Sequence, residues 1–243
     1  MAVLVLVPGA YLGAWAWEET ARALEGRGHT ALPLTLTGLA ERAGDATPAT
    51  DLDTHVADIT GFVEGLGVPE VTLVAHSYGA APVTGAAARL GGRVARVVYV
   101  DSAPFAEGLR VLDLMPPEDV EAMRRQVAER GDGMLPAPSP EKLGEAGSLD
   151  GLGPDRLEQL RARATAQPFG TFERRLSGPA EPGPGVDRVV VACHDFQALL
   201  AAAPPMLAFL NQPPWRRFDL ATGHWPMLSA PAELASVLDR ALS

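Results

Sequence analysis

The chain of 243 residues has a single cysteine, Cys193. It can form no internal disulfide, and one thiolate with scattered histidines falls short of a structural zinc site. No apolar run of about 18 residues occurs, and no membrane span is expected. Basic excess is absent as well: 20 Lys and Arg stand against 30 Asp and Glu, a formal net charge of −10. That sign argues against nucleic acid held by counterion release and against docking on anionic membranes. A neutral small-molecule substrate suits this field better than a polyanion. The opening MAVLVLVPGA has no basic leader and runs into Pro8-Gly9. It reads as a first strand rather than a signal peptide, and the expected compartment is the cytoplasm.

What is present is ordinary for a soluble globular protein: 47% hydrophobic and 21% charged residues. The length suits one α/β domain over 1–243, and no internal repeat breaks it. Apolar β-branched runs alternate with helical patterns, which predicts an open, mostly parallel sheet with helices on both faces. Strands are expected at Ala2–Val7, Thr30–Leu36, Val71–Ala75, Val94–Val100, Val186–Cys193 and Arg216–Leu220. Helices are expected near Trp15–Leu24, Leu52–Leu66, after Gly79 to Leu90, Phe196–Leu210 and Pro231–Leu242. Residues 103–185 differ. They are rich in Pro and Gly, with helical islands at Glu118–Arg130 and Asp155–Ala166 and no strand-like run. They read as an insertion packed over one end of the sheet, a cap.

The central signal is Ala75-His76-Ser77-Tyr78-Gly79, between the strand VTLVA and a small-residue helix. A serine on a sharp strand-to-helix turn is exposed at the C-terminal end of a sheet. Small residues are needed two before and two after it, where side chains would collide. Gly79 meets that need, and Ala75 stands where a first glycine is usual. Ser77 is the candidate nucleophile. The turn also aims the Tyr78 N–H at a developing oxyanion, and the loop Pro8-Gly9-Ala10 offers the Ala10 N–H as a second donor. The general base should come late in the chain. His224, in LATGHWPML, combines a late position with a strand-to-helix loop. His29 reads as structural, His55 as a helix-surface residue, and His76 as packed under the turn; His194 is left open. Trp15, Trp17 and Trp215 occupy core-like positions.

PGAYLGAWAWEE, AHSYG and ATGHWPMLSAP together resemble small actinobacterial α/β-hydrolases related to the plant methylesterase and hydroxynitrile lyase group. The resemblance covers most of the chain, and TAQPFGTFERRL looks like a family segment too. It implies carboxylic ester hydrolysis without a cofactor, with the insertion shaping an apolar pocket to which Leu114 and Phe169 would contribute. Relatives that cleave cyanohydrins carry a Thr and a Lys where this chain has Gly9 and Trp225, which counts against that chemistry. A cyclase or lyase using the same residues, and a receptor without turnover, are the rival readings; a homodimer is compatible with either.

Two carboxylates compete as the acid behind His224. Asp195 follows the strand ending at Cys193, the commonest place for the acid in such a sheet. Asp101 ends the strand VVYV, and an Asp in a YVDS-like segment recurs in the proteins this chain resembles. Asp195 also has a sufficient structural reading as the N-cap of the helix that follows. Asp101 is favoured.

Overall fold

In the computed structural model, which describes residues 1–179, 182–202 and 204–243, β1 (Val3–Val7) reads VLVLV and is buried on both faces. Val5 and Val7 enter one core, Leu4 and Leu6 the other, as the two-residue period of a strand requires. Such a strand belongs inside a sheet covered by helices on each side. After β1 come α1 (Glu18–Glu25), β2 (Thr30–Pro33), α2 (Leu52–Gly65), β3 (Val71–His76), α3 (Ala80–Leu90) and β4 (Val94–Val100). Next are α4 (Pro117–Arg130), β5 (Met134–Leu135), α5 (Pro140–Ala146), α6 (Pro154–Arg163), β6 (Gln167–Pro168) and α7 (Gly170–Glu173). The chain returns with β7 (Asp187–Ala192), α8 (His194–Ala201), β8 (Trp215–Asp219), α9 (Pro226–Ser229) and α10 (Pro231–Leu242).

Six strands form one parallel sheet in the order β2-β1-β3-β4-β7-β8. From β1 the chain goes outward to β2 and then returns to the other side as β3. Connections therefore diverge between β1 and β3, and a crevice opens beyond their carboxyl ends. Register sets Val7 beside Ala75 and His76 beside Val100, so the segments leaving β1, β3 and β4 emerge at one edge. On one face the apolar stripes of α2 (Leu52, Val56, Ile59, Val63) and α3 (Val83, Ala86, Ala87) cover the sheet. On the other, Trp15 and Trp17 join Leu24 of α1 and Leu234, Val237 and Leu238 of α10.

α2 starts at a capping box in which Asp51 accepts the Thr54 N–H and the Thr54 hydroxyl bonds back to the Asp51 N–H. Among the described residues no helix is long and apolar enough to cross a membrane.

The segment between β4 and β7 departs from expectation in detail. Its main helices lie where the periodicity places them, but it also contains α5 and a two-residue antiparallel pairing of β5 with β6. Two-residue strands leave no alternation to read, and α5 is short and interrupted by Gly144. Residues 180 and 181, within the range 103–185, lie outside the described residues. The helix expected over Phe196–Leu210 is α8 followed by a separate 3-10 turn, Ala208–Asn211. Pro204-Pro205 between them cannot continue a helix, and residue 203 is outside the described residues. β2 ends three residues early, at Pro33, although the Leu34 N–H still donates to the Leu6 carbonyl at 3.0 Å.

Candidate active site

Val71–His76 is buried along its whole length and stops at Ser77, whose φ is +49°. That left-handed conformation is strained for a residue with a Cβ. Among the described residues four non-glycines take positive φ, and three of them, Tyr11, Ser77 and Asp101, follow β1, β3 and β4 at the same sheet edge. Backbone strain is thus gathered where the side chains meet. The turn also depends on two close approaches. A Cβ on Gly79 would lie 2.7 Å from the Pro8 carbonyl oxygen, and one on Gly9 2.8 Å from His76 Nδ1 and 3.3 Å from Ser77 Cβ. The loop after β1, with Ala10, therefore borders Ser77.

His224 is carried by the loop between β8 and α9. Its Nε2 is 3.0 Å from Ser77 Oγ and its Nδ1 is 2.6 Å from Asp101 Oδ2. A carboxylate only accepts, so Nδ1 carries a proton and Nε2 presents its lone pair to the serine hydroxyl. Asp101 is almost fully buried, and its other oxygen accepts the Cys193 N–H at 2.8 Å. The carboxylate is held from two sides, with Oδ2 aimed at the imidazole. Burial and the adjacent Asp101 charge push the Cys193 thiol pKa up, so Cys193 is a neutral packing residue. Such a line of hydroxyl, imidazole and carboxylate can take a proton from an attacking oxygen and stabilise the cation that results.

The description "Alpha/beta hydrolase family" belongs to a family model that matches residues 4–237. The chain belongs to the α/β-hydrolase family. It is 28% identical over 251 residues to a carbendazim hydrolyzing esterase of Nocardioides sp. (strain SG-4G), covering 98% of each chain. It is 26% identical over 245 residues to a putative chloroplastic methylesterase, number 14, of Arabidopsis thaliana, covering 96% of this chain and 70% of that one. Among solved structures, an extracellular α/β-hydrolase from a Paenibacillus species superposes with a TM-score of 0.81 at 16% identity, over 99% of both chains. That likeness extends the fold along the whole α/β-hydrolase chain.

Around the three residues of this α/β-hydrolase, the other histidines fall into distinct places. His76 is fully buried, and its Nε2–H donates to the His224 carbonyl at 2.7 Å. Burial, with the neighbouring His224, holds its pKa well below the usual imidazole range. His55 corrects the helix-surface expectation. It is fully buried, lying between Leu52, Val56 and Ile59 on the inner stripe of α2. Its Nε2–H donates to the Thr37 carbonyl at 2.8 Å, so its Nδ1 accepts the Tyr78 hydroxyl at 2.7 Å. Burial lowers its pKa as well. The spacing with Leu52 and Ile59 was the available signal, since position 55 falls on the apolar face. His29 bonds the Ala2 N–H and Asp239, a structural role. His194, exposed, opens α8 3.2 Å from Asp150 Oδ2.

Asp195 is not an N-cap. α8 begins one residue before it, at His194, and the capping residue is Cys193, without a side-chain bond. Asp195 Oδ2 instead accepts the Ser148 N–H at 2.8 Å. Two features had no sequence signature of their own. Ser148 bonds His224 through backbone alone, and Gln167, fully buried, accepts the Tyr11 N–H and donates to Thr171. The two residues singled out for the pocket diverge: Leu114 is 63% exposed, whereas Phe169 is 5% exposed and packs in the core with Phe172. Among the described residues no group of three or more His, Cys, Asp or Glu is placed to hold a metal ion.

Proposed function

We propose that the protein is a serine hydrolase that cleaves the carboxylic ester, thioester or lactone of a small apolar substrate through an acyl-enzyme. The observation that carries this reading is the unbroken line Ser77 Oγ, His224, Asp101, with contacts of 3.0 and 2.6 Å, at the edge where β3 and β4 end. Relatives named for ester cleavage, matched over 98% and 96% of this chain, support the choice of an acyl substrate. Ser77 attacks the carbonyl carbon while His224 Nε2 takes its proton, and Asp101 steadies the imidazolium. The backbone N–H groups of Ala10 and Tyr78 receive the oxyanion. His224 then returns the proton to the leaving alcohol, and a water deprotonated by the same nitrogen releases the acid and frees Ser77. Residues 103–185 act as the cap that shapes an apolar pocket over Ser77.

A fluorophosphonate or sulfonyl fluoride should label the protein once per chain, at Ser77. Ser77→Ala should abolish labelling and remove turnover of short-chain nitrophenyl esters. A label on another residue, or turnover unchanged in the variant, overturns the assignment.

A further inference from the structure

His224 is gripped by its backbone on both sides. Its carbonyl is held from the sheet by buried His76, and its N–H donates to the Ser148 carbonyl at 2.8 Å. Ser148 belongs to the segment between β4 and β7, so that segment reaches the candidate base directly. The contact is more than one bond. The Gly223 N–H and the Thr222 hydroxyl both donate to the Asp150 carbonyl, at 3.1 and 3.3 Å. Two glycines permit the approach. A Cβ on Gly147 would stand 2.9 Å from both Cβ and Cγ of His224, and one on Gly223 would strike the Ser148 carbonyl. This strap, residues 147–150, lies against the loop 222–224 without intervening side chains.

The strap is fixed at its far side by α8. Asp195 Oδ2 accepts the Ser148 N–H at 2.8 Å, and His194 Nδ1 faces Asp150 Oδ2 at 3.2 Å. The His194 N–H donates to the Thr222 carbonyl at 3.0 Å, so the start of α8 touches both layers. We propose that Asp195 is a positioning residue for His224, acting through Ser148. The inference rests on the reading of His224 as the general base. A carboxylate bound to the Ser148 N–H pins the Gly147–Ser148 peptide plane, and the carbonyl on the other side of the same Cα holds the His224 N–H. Catalysis is steeply sensitive to such placement, since a shift of about 1 Å can cost on the order of a hundredfold in rate. The carboxylate that the chain order would offer as the triad acid thus serves the same histidine from its backbone side.

The experiment is steady-state kinetics on p-nitrophenyl acetate, together with the rate of fluorophosphonate labelling at Ser77, for Asp195→Ala, Asp195→Asn and Gly147→Ala. Asp195 is exposed, so neither of its variants disturbs the core. Asp195→Ala should lower kcat and the labelling rate on the order of tenfold with KM little changed. Asp195→Asn keeps an oxygen that accepts the Ser148 N–H and should recover most of the loss. Gly147→Ala, which pushes the strap off His224, should reproduce the alanine effect. The proposal is overturned if Asp195→Ala matches the wild type in both readouts. It is equally overturned if Asp195→Asn falls as far as Asp195→Ala, since the charge and not the acceptor would then matter. Failure of the wild type to label at Ser77 would instead sink the underlying mechanism, and the two failures are distinguishable.

Discussion

Asp101 divides its carboxylate between the Cys193 N–H and His224 Nδ1. An amide in its place can satisfy only one of these as an acceptor. With Oδ1 kept on Cys193, the Asn NH₂ faces His224 and favours the tautomer that puts a proton on Nε2, where the serine needs a lone pair. Asp101→Asn should therefore lower kcat on the order of 10⁴, as in well-characterised triads, with the protein still folded. Stopped assays of nitrophenyl ester turnover, with circular dichroism of the variant, measure both; a loss under tenfold would remove Asp101 from the mechanism. At this scale the sequence was informative where a side chain stands at a strand end. Ser77 follows VTLVAH, Asp101 follows VVYV, and His224 sits in a glycine-bearing loop. Ser148 was illegible because its contribution is a carbonyl and an N–H, which every residue but proline carries alike. The choice between Asp101 and Asp195 needed the relative placement of β4, β7 and the strap, information that no local window holds.

Elements set how closely these residues can meet. The turn after β3 lies against the loop after β1, and a methyl on Gly79 would sit 2.7 Å from the Pro8 oxygen and 3.0 Å from the Val7 oxygen. Those acceptors are backbone and cannot rotate aside. Gly79→Ala should force the turn and the loop apart, costing about 1–3 kcal/mol of stability by overpacking and displacing Ala10 from Ser77. Urea unfolding and nitrophenyl ester turnover, measured on the same variant, should both fall. Wild-type stability and turnover together would show that the turn and the loop accommodate a methyl group. The substitution is informative because Gly79 has a negative φ of −54°, so sterics alone and not backbone conformation decide the outcome. The same reasoning explains why the long elements were legible and the short ones were not. β1, β3 and β4 are apolar on both faces, and α2 shows four apolar positions on one stripe. α5 and the β5–β6 pairing are too short to show a period, and they exist because surrounding chain packs on them.

The whole molecule encloses two neutral imidazoles, and this makes its stability depend on pH. His55 and His76 are fully buried, and burial lowers the pKa of each below its ordinary value near 6.5. His76 is lowered further by its neighbour His224, and its Nδ1 has no hydrogen-bond partner among the described residues that a proton could serve. In the unfolded chain both groups protonate as pH falls below about 6.5, while in the folded chain they do not. The unfolded state then binds more protons, so falling pH favours unfolding. The stabilisation is complete above pH 6.5 and is lost progressively below it, down to the folded-state values. Between its folded and unfolded pKa values each histidine contributes a slope of up to about 1.4 kcal/mol per pH unit. Urea unfolding between pH 8 and pH 5 should show a plateau above pH 7 and a decline beginning near 6.5. In parallel, NMR of the imidazole Cε1–H signals should show two histidines that do not titrate before the fold is lost. A flat stability profile to pH 5, or either His55 or His76 titrating near its ordinary value in the folded protein, would contradict the burial of these two rings. Protonation of His55 and His76 should accordingly proceed only with unfolding and be seen in the denaturation midpoint.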